Sequence, residues 1–262
     1  WGLLPAMIFG VLRHFVAALD RAHYALWVTL VMLVANAAGN YVLIFGHFGF
    51  PALGLEGAAL ASVGSNVIGA LALILFIHRN RVMRRFHLFG RLARMDWARV
   101  RDLVRVGLPI SATMVFEVAI FSAAAFLMGL IGVNELAAHA IALQAAALAF
   151  MVPLGIGQAA TIRVGMAFGA GDAHWMQRAG RVAIVAGVGF MGFTAALFWL
   201  APQWVIMLWL DPADPANAAV IPLAIGFLSM AALFQLFDGA QVVGAGLLRG
   251  LQDTKVPMVL AG

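Results

Sequence analysis

The sequence predicts an all-α fold, a polytopic transmembrane helical bundle, and three observations predict it. The 262 residues are 64% hydrophobic and 10% charged, with a mean hydropathy of +1.00, against about 25% charged residues in soluble proteins. Apolar stretches long enough to cross a bilayer, roughly 20 residues as a helix, recur along the chain. Every second connection between those stretches is basic. No amphipathic pattern hides that much apolar surface inside one water-soluble domain, so the excess faces lipid.

In order, the apolar runs predict the remnant of a span from Trp1 to about Leu12, then spans over 24–45, 53–77, 106–131, 136–168, 181–200 and 220–248, with a last one beginning near Val256. The runs 136–168 and 220–248 exceed a straight crossing. Pro153 with Gly155 and Gly157, and Pro222 with Gly226, mark places for a kink or a tilt. The 28 glycines suit helices that approach closely through small residues, because lipid supplies no hydrophobic drive for their association. The chain opens on Trp1 inside one apolar run and closes on Gly262 inside another, as expected of part of a longer polytopic protein.

The connections orient these spans. Segments 13–23, 78–105, 169–180 and 249–255, with flanks that include Arg163 and Arg181, carry all 16 Lys and Arg. The alternate connections 46–52, 132–135 and 201–219 carry none, although the last holds Asp211 and Asp214. By the positive-inside rule the basic connections are cytoplasmic. Topology thereby explains a net charge of +5 and a pI near 11.0 that would suggest nucleic acid in a soluble protein. Segment 78–105 carries nine arginines, Arg79 to Arg105, and reads as a solvated linker between two bundles that also contacts anionic lipid. No cysteine is present, which excludes disulfides and thiol chemistry. No nucleophile, base and metal-ligand set stands in register, so the pattern speaks against an enzyme.

Two acids stand apart from the connections. Glu117 lies 12 residues beyond Arg105 and Asp238 lies 11 before Arg249; at a rise of 1.5 Å per residue they are about 18 and 16 Å into the bilayer. No Lys or Arg stands at similar depth. A carboxylate there costs at least roughly 2.5–3.5 kcal/mol on insertion scales, so by default it faces a cavity and does a job. The blander role is a protonated acid that bonds neighbouring helices. Asn36 and Asn40 share a helix face at i and i+4, where two amides serve either a cation or polar cavity or as interhelical glue. Ser62, Ser65 and Asn66 add polar groups to the next span. His139 reads as a hydrogen-bonded structural histidine, and Gln144 and Gln241 as mid-bundle amides.

Four motifs make the chain similar to a known family. The run Val152-Pro-Leu-Gly-Ile-Gly-Gln-Ala-Ala-Thr-Ile-Arg-Val-Gly-Met-Ala-Phe-Gly-Ala-Gly-Asp172 resembles the multidrug and toxic compound extrusion family in its NorM-like branch. Gly107-Leu-Pro-Ile with Phe116-Glu-Val resembles the family's seventh helix, Ala137-Ala-His-Ala-Ile-Ala-Leu the start of the eighth, and Asp238-Gly-Ala-Gln-Val-Val-Gly-Ala-Gly-Leu-Leu-Arg-Gly250 the end of the tenth.

The resemblance implies part of a two-lobe (six plus six) pseudo-twofold transporter fold. Residues 1–78 would be the C-terminal part of the N-lobe (the end of helix four, then helices five and six). Residues 79–105 would be the cytoplasmic inter-lobe loop, and 106–262 the C-lobe from helix seven to the start of helix eleven.

It further implies a secondary active multidrug efflux antiporter in a bacterial inner membrane, exchanging organic cations or amphiphilic drugs for protons or sodium ions. Membrane lipids would be its other partners; it would act as a monomer, without nucleic acid and without a cofactor beyond the coupling ion. Glu117 and Asp238 match the family's acidic pair for cation coupling and drug binding, where a sodium ion would sit. Asn36 matches a polar asparagine of helix five. Asn40 falls where some relatives carry aspartate, and Ser62 where some carry threonine, in an N-lobe cation site. Phe234 stands where some sodium-coupled members have tyrosine, a departure that leaves protons and sodium both open. The alternative is a lipid-linked precursor flippase of the same superfamily, against which the lack of a mid-membrane Lys or Arg counts.

Overall fold

The computed structural model describes residues 2–86, 88, 96–212, 214–253 and 256. They form α1 (Leu3–Ala18), α2 (Ala22–Phe45), α3 (Leu55–Arg79), α4 (Arg81–Arg84), α5 (Trp97–Ile131), α6 (Val133–Gly169), α7 (Ala173–Leu200), α8 (Pro202–Ile206) and α9 (Val220–Gly250), with a 3₁₀ turn at Pro215–Asn217. No strand occurs among the described residues. Six helices, α2, α3, α5, α6, α7 and α9, are long and apolar enough to cross a membrane. The protein is a multi-pass helical membrane protein. The last span, expected from near Val256, lies outside the described residues apart from Val256 itself, as do residues 87 and 89–95 of segment 78–105.

Helices outrun the apolar stretches where a capping residue lies beyond them. α5 starts at Trp97 rather than 106 because the Asp96 carboxylate accepts the backbone N–H groups of Ala98 and Arg99, at 3.2 and 3.4 Å. α7 starts at Ala173 rather than 181, with Asp172 accepting the N–H of Trp175 at 2.9 Å. Each cap satisfies donors that the first helical turn leaves open. The exposed Asp96–Arg99 ion pair, 3.3 Å, adds little. Pro222 falls in the first turn of α9, where no N–H is needed, so it starts the helix rather than bending it. Pro153 sits inside α6 and is buried. The 169–171 turn ends on Gly171 at φ +68°, the conformation expected of glycine there.

The chain divides into two compact units, Trp1–Met95 and Asp96–Gly262. In the first, α1 and α3 pack through Phe9, Leu12, Val16, Leu73 and Ile77. Part of the arginine-rich connection belongs to this core. Asn80 caps α4 by accepting from Val82 N–H at 3.0 Å, and Met83 is fully buried. That is a difference from the expected solvated linker: an apolar side chain every few residues is enough to dock a single turn. Met83→Ala is expected to cost about 2–5 kcal/mol, read as a lower thermal midpoint of the complete protein.

In the second unit α6 is central, packed against α7 and α9 through Ala138, Ile141, Ala145, Ala195, Phe198 and Leu228. The α6–α9 seam is closed by small residues. Thr161 Oγ1 donates to Gly246 O at 2.7 Å and stands 2.9 Å from Gly157 O. A Cβ on Gly157 would lie 3.0 Å from Val242 O, and one on Gly250 2.8 Å from Thr161 O. Backbones this close need the missing side chains.

Candidate functional site

The long helices of the second unit bring both isolated acids to one place. On α6, Leu143, Ala146, Ala147 and Phe150 recur at helical spacing and face a cavity of about 260 Å³. From α5, Glu117 and Phe121, one turn apart, line the same space. From α9, Phe234, Gln235 and Asp238 complete it. The Phe121 and Phe234 rings meet edge to face, 6.3 Å apart at 85°. Glu117 and Asp238 are both half-buried, and among the described residues neither has an ion-pair or hydrogen-bond partner. Among the described residues, no Lys or Arg lines this cavity. Two carboxylates among aromatic walls can attract a cation, share a proton, or do each in turn.

A second cavity, about 400 Å³, adjoins through Glu117 and Phe150, which line both. Thr113, Phe237, Gln241 and Arg249 are among its other walls. Glu117 is therefore the carboxylate common to a small acidic pocket and a larger amphipathic one.

Two residues of these cavities escaped the sequence reading. Gln235 is 2% exposed, and neither its amide oxygen nor its amide nitrogen has a hydrogen-bond partner among the described residues. Burying such a group unpaired costs about 1–3 kcal/mol, which a ligand at the cavity would recover. Its position three residues before Asp238, on the same helix face, was the available signal. Arg249 was assigned to a connection by its place at a span end, yet it lines the larger cavity, with a buried Nε that has no hydrogen-bond partner among the described residues.

The first unit assembles the other predicted polar residues. Asn40 Nδ2 donates to Asn36 Oδ1 at 3.1 Å, and Asn36 Nδ2 reaches the hydroxyls of Ser62 and Ser65 at 3.5 and 3.4 Å. Ser65 Oγ and Asn66 Nδ2 donate to Ser62 O at 3.0 and 2.8 Å. The cluster joins α2 to α3, so the glue role is present; the Asn40 Oδ1 atom, buried and without a hydrogen-bond partner among the described residues, leaves an oxygen available to a cation. His139 departs from expectation. Its Nε2 is buried with no hydrogen-bond partner among the described residues, and its ring packs edge-on against Phe227 at 5.9 Å. Gln241 lines the larger cavity, whereas Gln144 is exposed.

Comparison with known proteins agrees with this architecture. Residues 109–262, more than half of the chain, match the MatE family model. The chain is 50% identical over 261 residues to the probable multidrug resistance protein NorM of Mesorhizobium japonicum, covering 100% of this chain and 56% of that relative. Against the probable multidrug resistance protein NorM of Rhizobium meliloti it is 49% identical, again over 100% of this chain and 56% of the relative. Against the multidrug resistance protein NorM of Burkholderia vietnamiensis it is 43% identical over 96% of this chain and 54% of the relative. The chain spans about half the length of the curated relatives it matches. With its helical bundle, its glycine-packed α6–α9 seam and this match over most of its second unit, the chain belongs to the MatE family.

Proposed function

We propose that the complete protein is a secondary active multidrug efflux antiporter of a bacterial inner membrane, exporting organic cations or amphiphilic drugs in exchange for protons or sodium ions. The observation that carries this reading is the convergence on one aromatic-walled cavity of Glu117, Asp238 and Gln235, whose amide has no hydrogen-bond partner among the described residues. An organic cation would lay its apolar body on Phe121, Phe150 and Phe234 and its charge near the carboxylates. A proton or sodium ion taken from the outside would occupy the same oxygens, and each ligand would weaken the other. Movement of the two lobes would present the site alternately to the two sides. Asn36, Asn40 and Ser62 would form a second cation-sensitive cluster in the N-lobe, supported by the open Asn40 Oδ1. The relatives' names, which speak of multidrug resistance, favour the same reading.

The test is transport by the complete protein in vesicles under separately imposed proton and sodium gradients, with ethidium as the probe. Gradient-driven ethidium movement sustained by one of the two ions is expected; movement indifferent to both would defeat the proposal. Arg249 favours the second reading, a lipid-linked precursor flippase, since a guanidinium in a cavity suits a phosphate. That reading predicts movement of a diphosphate-linked lipid in the same vesicles.

Gln235 gives a separate prediction. Gln235→Leu removes a buried amide that lacks a hydrogen-bond partner among the described residues, so the ligand-free protein is expected to be as stable as the parent or more so. Ethidium export is expected to fall about 10-fold, a loss near 1.4 kcal/mol. Thermal unfolding and export rates together check the pair; loss of both stability and export would mark Gln235 as merely structural.

A further inference from the structure

His139 is a titratable side chain that the proposed cycle leaves unused, and its place on the fold gives it a task. The α6 residues that face the acidic cavity are Leu143, Ala146, Ala147 and Phe150. His139 stands four residues before Leu143, on the same helix face and about 6 Å nearer the N-terminal end at the helical rise. The wall of α9 continues in the same direction. Phe227 precedes Phe234 by seven residues and Asp238 by eleven, spacings that keep one helix face. Its ring meets the His139 imidazole edge to face, 5.9 Å apart at 83°. The two helices thus carry the cavity wall about one turn further, towards the end of the unit that holds the 132–135 connection.

The surroundings of the imidazole are asymmetric. Nε2 is buried with no hydrogen-bond partner among the described residues, whereas the residue as a whole is half-buried. Inward along the same seam comes Gln235, likewise buried without a described partner, which shares the cavity wall with Asp238. Outward comes Glu135, half-buried in the first turn of α6 and four residues before His139 on the same face. The facing ends of α5, α7 and α9 and all of α8 hold no charged side chain. Asp211 and Asp214, in the connection after α8, are the other described acids at this end of the unit, and each has an interaction of its own.

We propose that His139 is a proton-relay residue between the outer solution and the Glu117–Asp238 pair. An imidazole takes a proton on one nitrogen and releases one from the other. The neutral ring, with its proton on Nε2, gains a second at Nδ1 from outer water or from the protonated Glu135 carboxyl. Nε2 then gives up its proton, through water beside Gln235, to the Asp238 carboxylate. The ring is left neutral with its proton on Nδ1, and exchange of tautomers resets it. The proposal rests on the antiport reading, with protons as the coupling ion, and on the orientation that puts the 132–135 connection outside.

A relay alters the rate of proton delivery and leaves equilibrium binding as it was, which separates it from a structural or ligand-binding role. The experiment uses the complete protein in vesicles, with ethidium movement driven by an imposed proton gradient. His139→Asn, which keeps a polar side chain and cannot carry a proton, is expected to slow that movement at least about 10-fold. Its affinity for tetraphenylphosphonium is expected to match the parent at every pH. In His139→Ala, imidazole supplied on the outer face is expected to restore much of the lost rate, and it is expected to do nothing for the parent. His174→Asn, an exposed histidine in the first turn of α7, is expected to behave as the parent does. The relay is overturned if His139→Asn moves ethidium at the parental rate, or if imidazole fails to rescue His139→Ala. It is equally overturned if His139→Asn shifts the pH dependence of tetraphenylphosphonium binding, or if sodium alone drives the parent. Ethidium movement by the parent that is indifferent to both ions defeats the proposed function itself; parental rates in the His139 variants defeat the relay alone.

Discussion

Asp238→Asn in the complete protein is expected to lower ion-driven drug export about 100-fold while leaving membrane insertion and expression near parental levels. The expectation follows from shape against charge. Asparagine nearly matches aspartate in volume, so the α9 face that carries Phe234, Gln235 and residue 238 keeps its packing. What disappears is a charge that can bind a proton, a cation or a drug. A coupling free energy of about 1–3 kcal/mol corresponds to roughly 5–150-fold, and the upper part of that range applies if both ligands depend on this group. Glu117→Gln is expected to act in the same direction. It additionally weakens drug binding, because Glu117 lines both the small cavity and the larger one. Initial export rates at matched protein levels check the expectation, and parental export by Asp238→Asn would remove the role assigned to it.

Gly246→Val is expected to be the most damaging single change to the fold. A Cβ at this position would be driven into the backbone carbonyl of Gly157, not into a flexible side chain. The helices cannot separate freely to admit it, because Thr161 on α6 bonds the Gly246 carbonyl at 2.7 Å and Gly250 packs against Thr161 one turn further on. Overpacking costs about 1–3 kcal/mol even where side chains can yield, and more is expected against backbone. The measurement is thermal unfolding in detergent, where the variant is expected to lose its cooperative transition or shift it down by many degrees. Gly244→Val on the same helix, where nothing stands near the added carbon, is the control and is expected to remain close to parental.

The membrane spans were legible because composition and charge act over whole segments. Arg79 and its neighbours marked one side of the membrane before any helix was placed. Helix ends were less legible: Asp96 and Asp172 cap helices whose first turns are polar, and an apolar count stops short of them. Glu117 and Asp238 could be singled out because a carboxylate at depth is costly on its own. Gln235 offered only its place three residues before Asp238, since an amide within a span is ordinary until its surroundings show that no described residue bonds it. Arg249 was misjudged for the opposite reason. Its place at a span end implied solvent, whereas the long last turn of α9 carries its side chain to the wall of a cavity. The Asn36, Asn40 and Ser62 cluster was half legible: spacing put the two asparagines on one face, and only packing of α2 on α3 brought the serines to them.

Competition between drug and coupling ion at the Glu117–Asp238 cavity is the claim on which the proposed mechanism depends. It is tested most directly by calorimetric titration of the complete protein with tetraphenylphosphonium over a matrix of pH and sodium concentration. The prediction is an affinity that falls at least about 5-fold as the coupling ion rises, and an ion dependence that vanishes in Asp238→Asn. An affinity indifferent to both ions, or an unaltered ion dependence in Asp238→Asn, would contradict it.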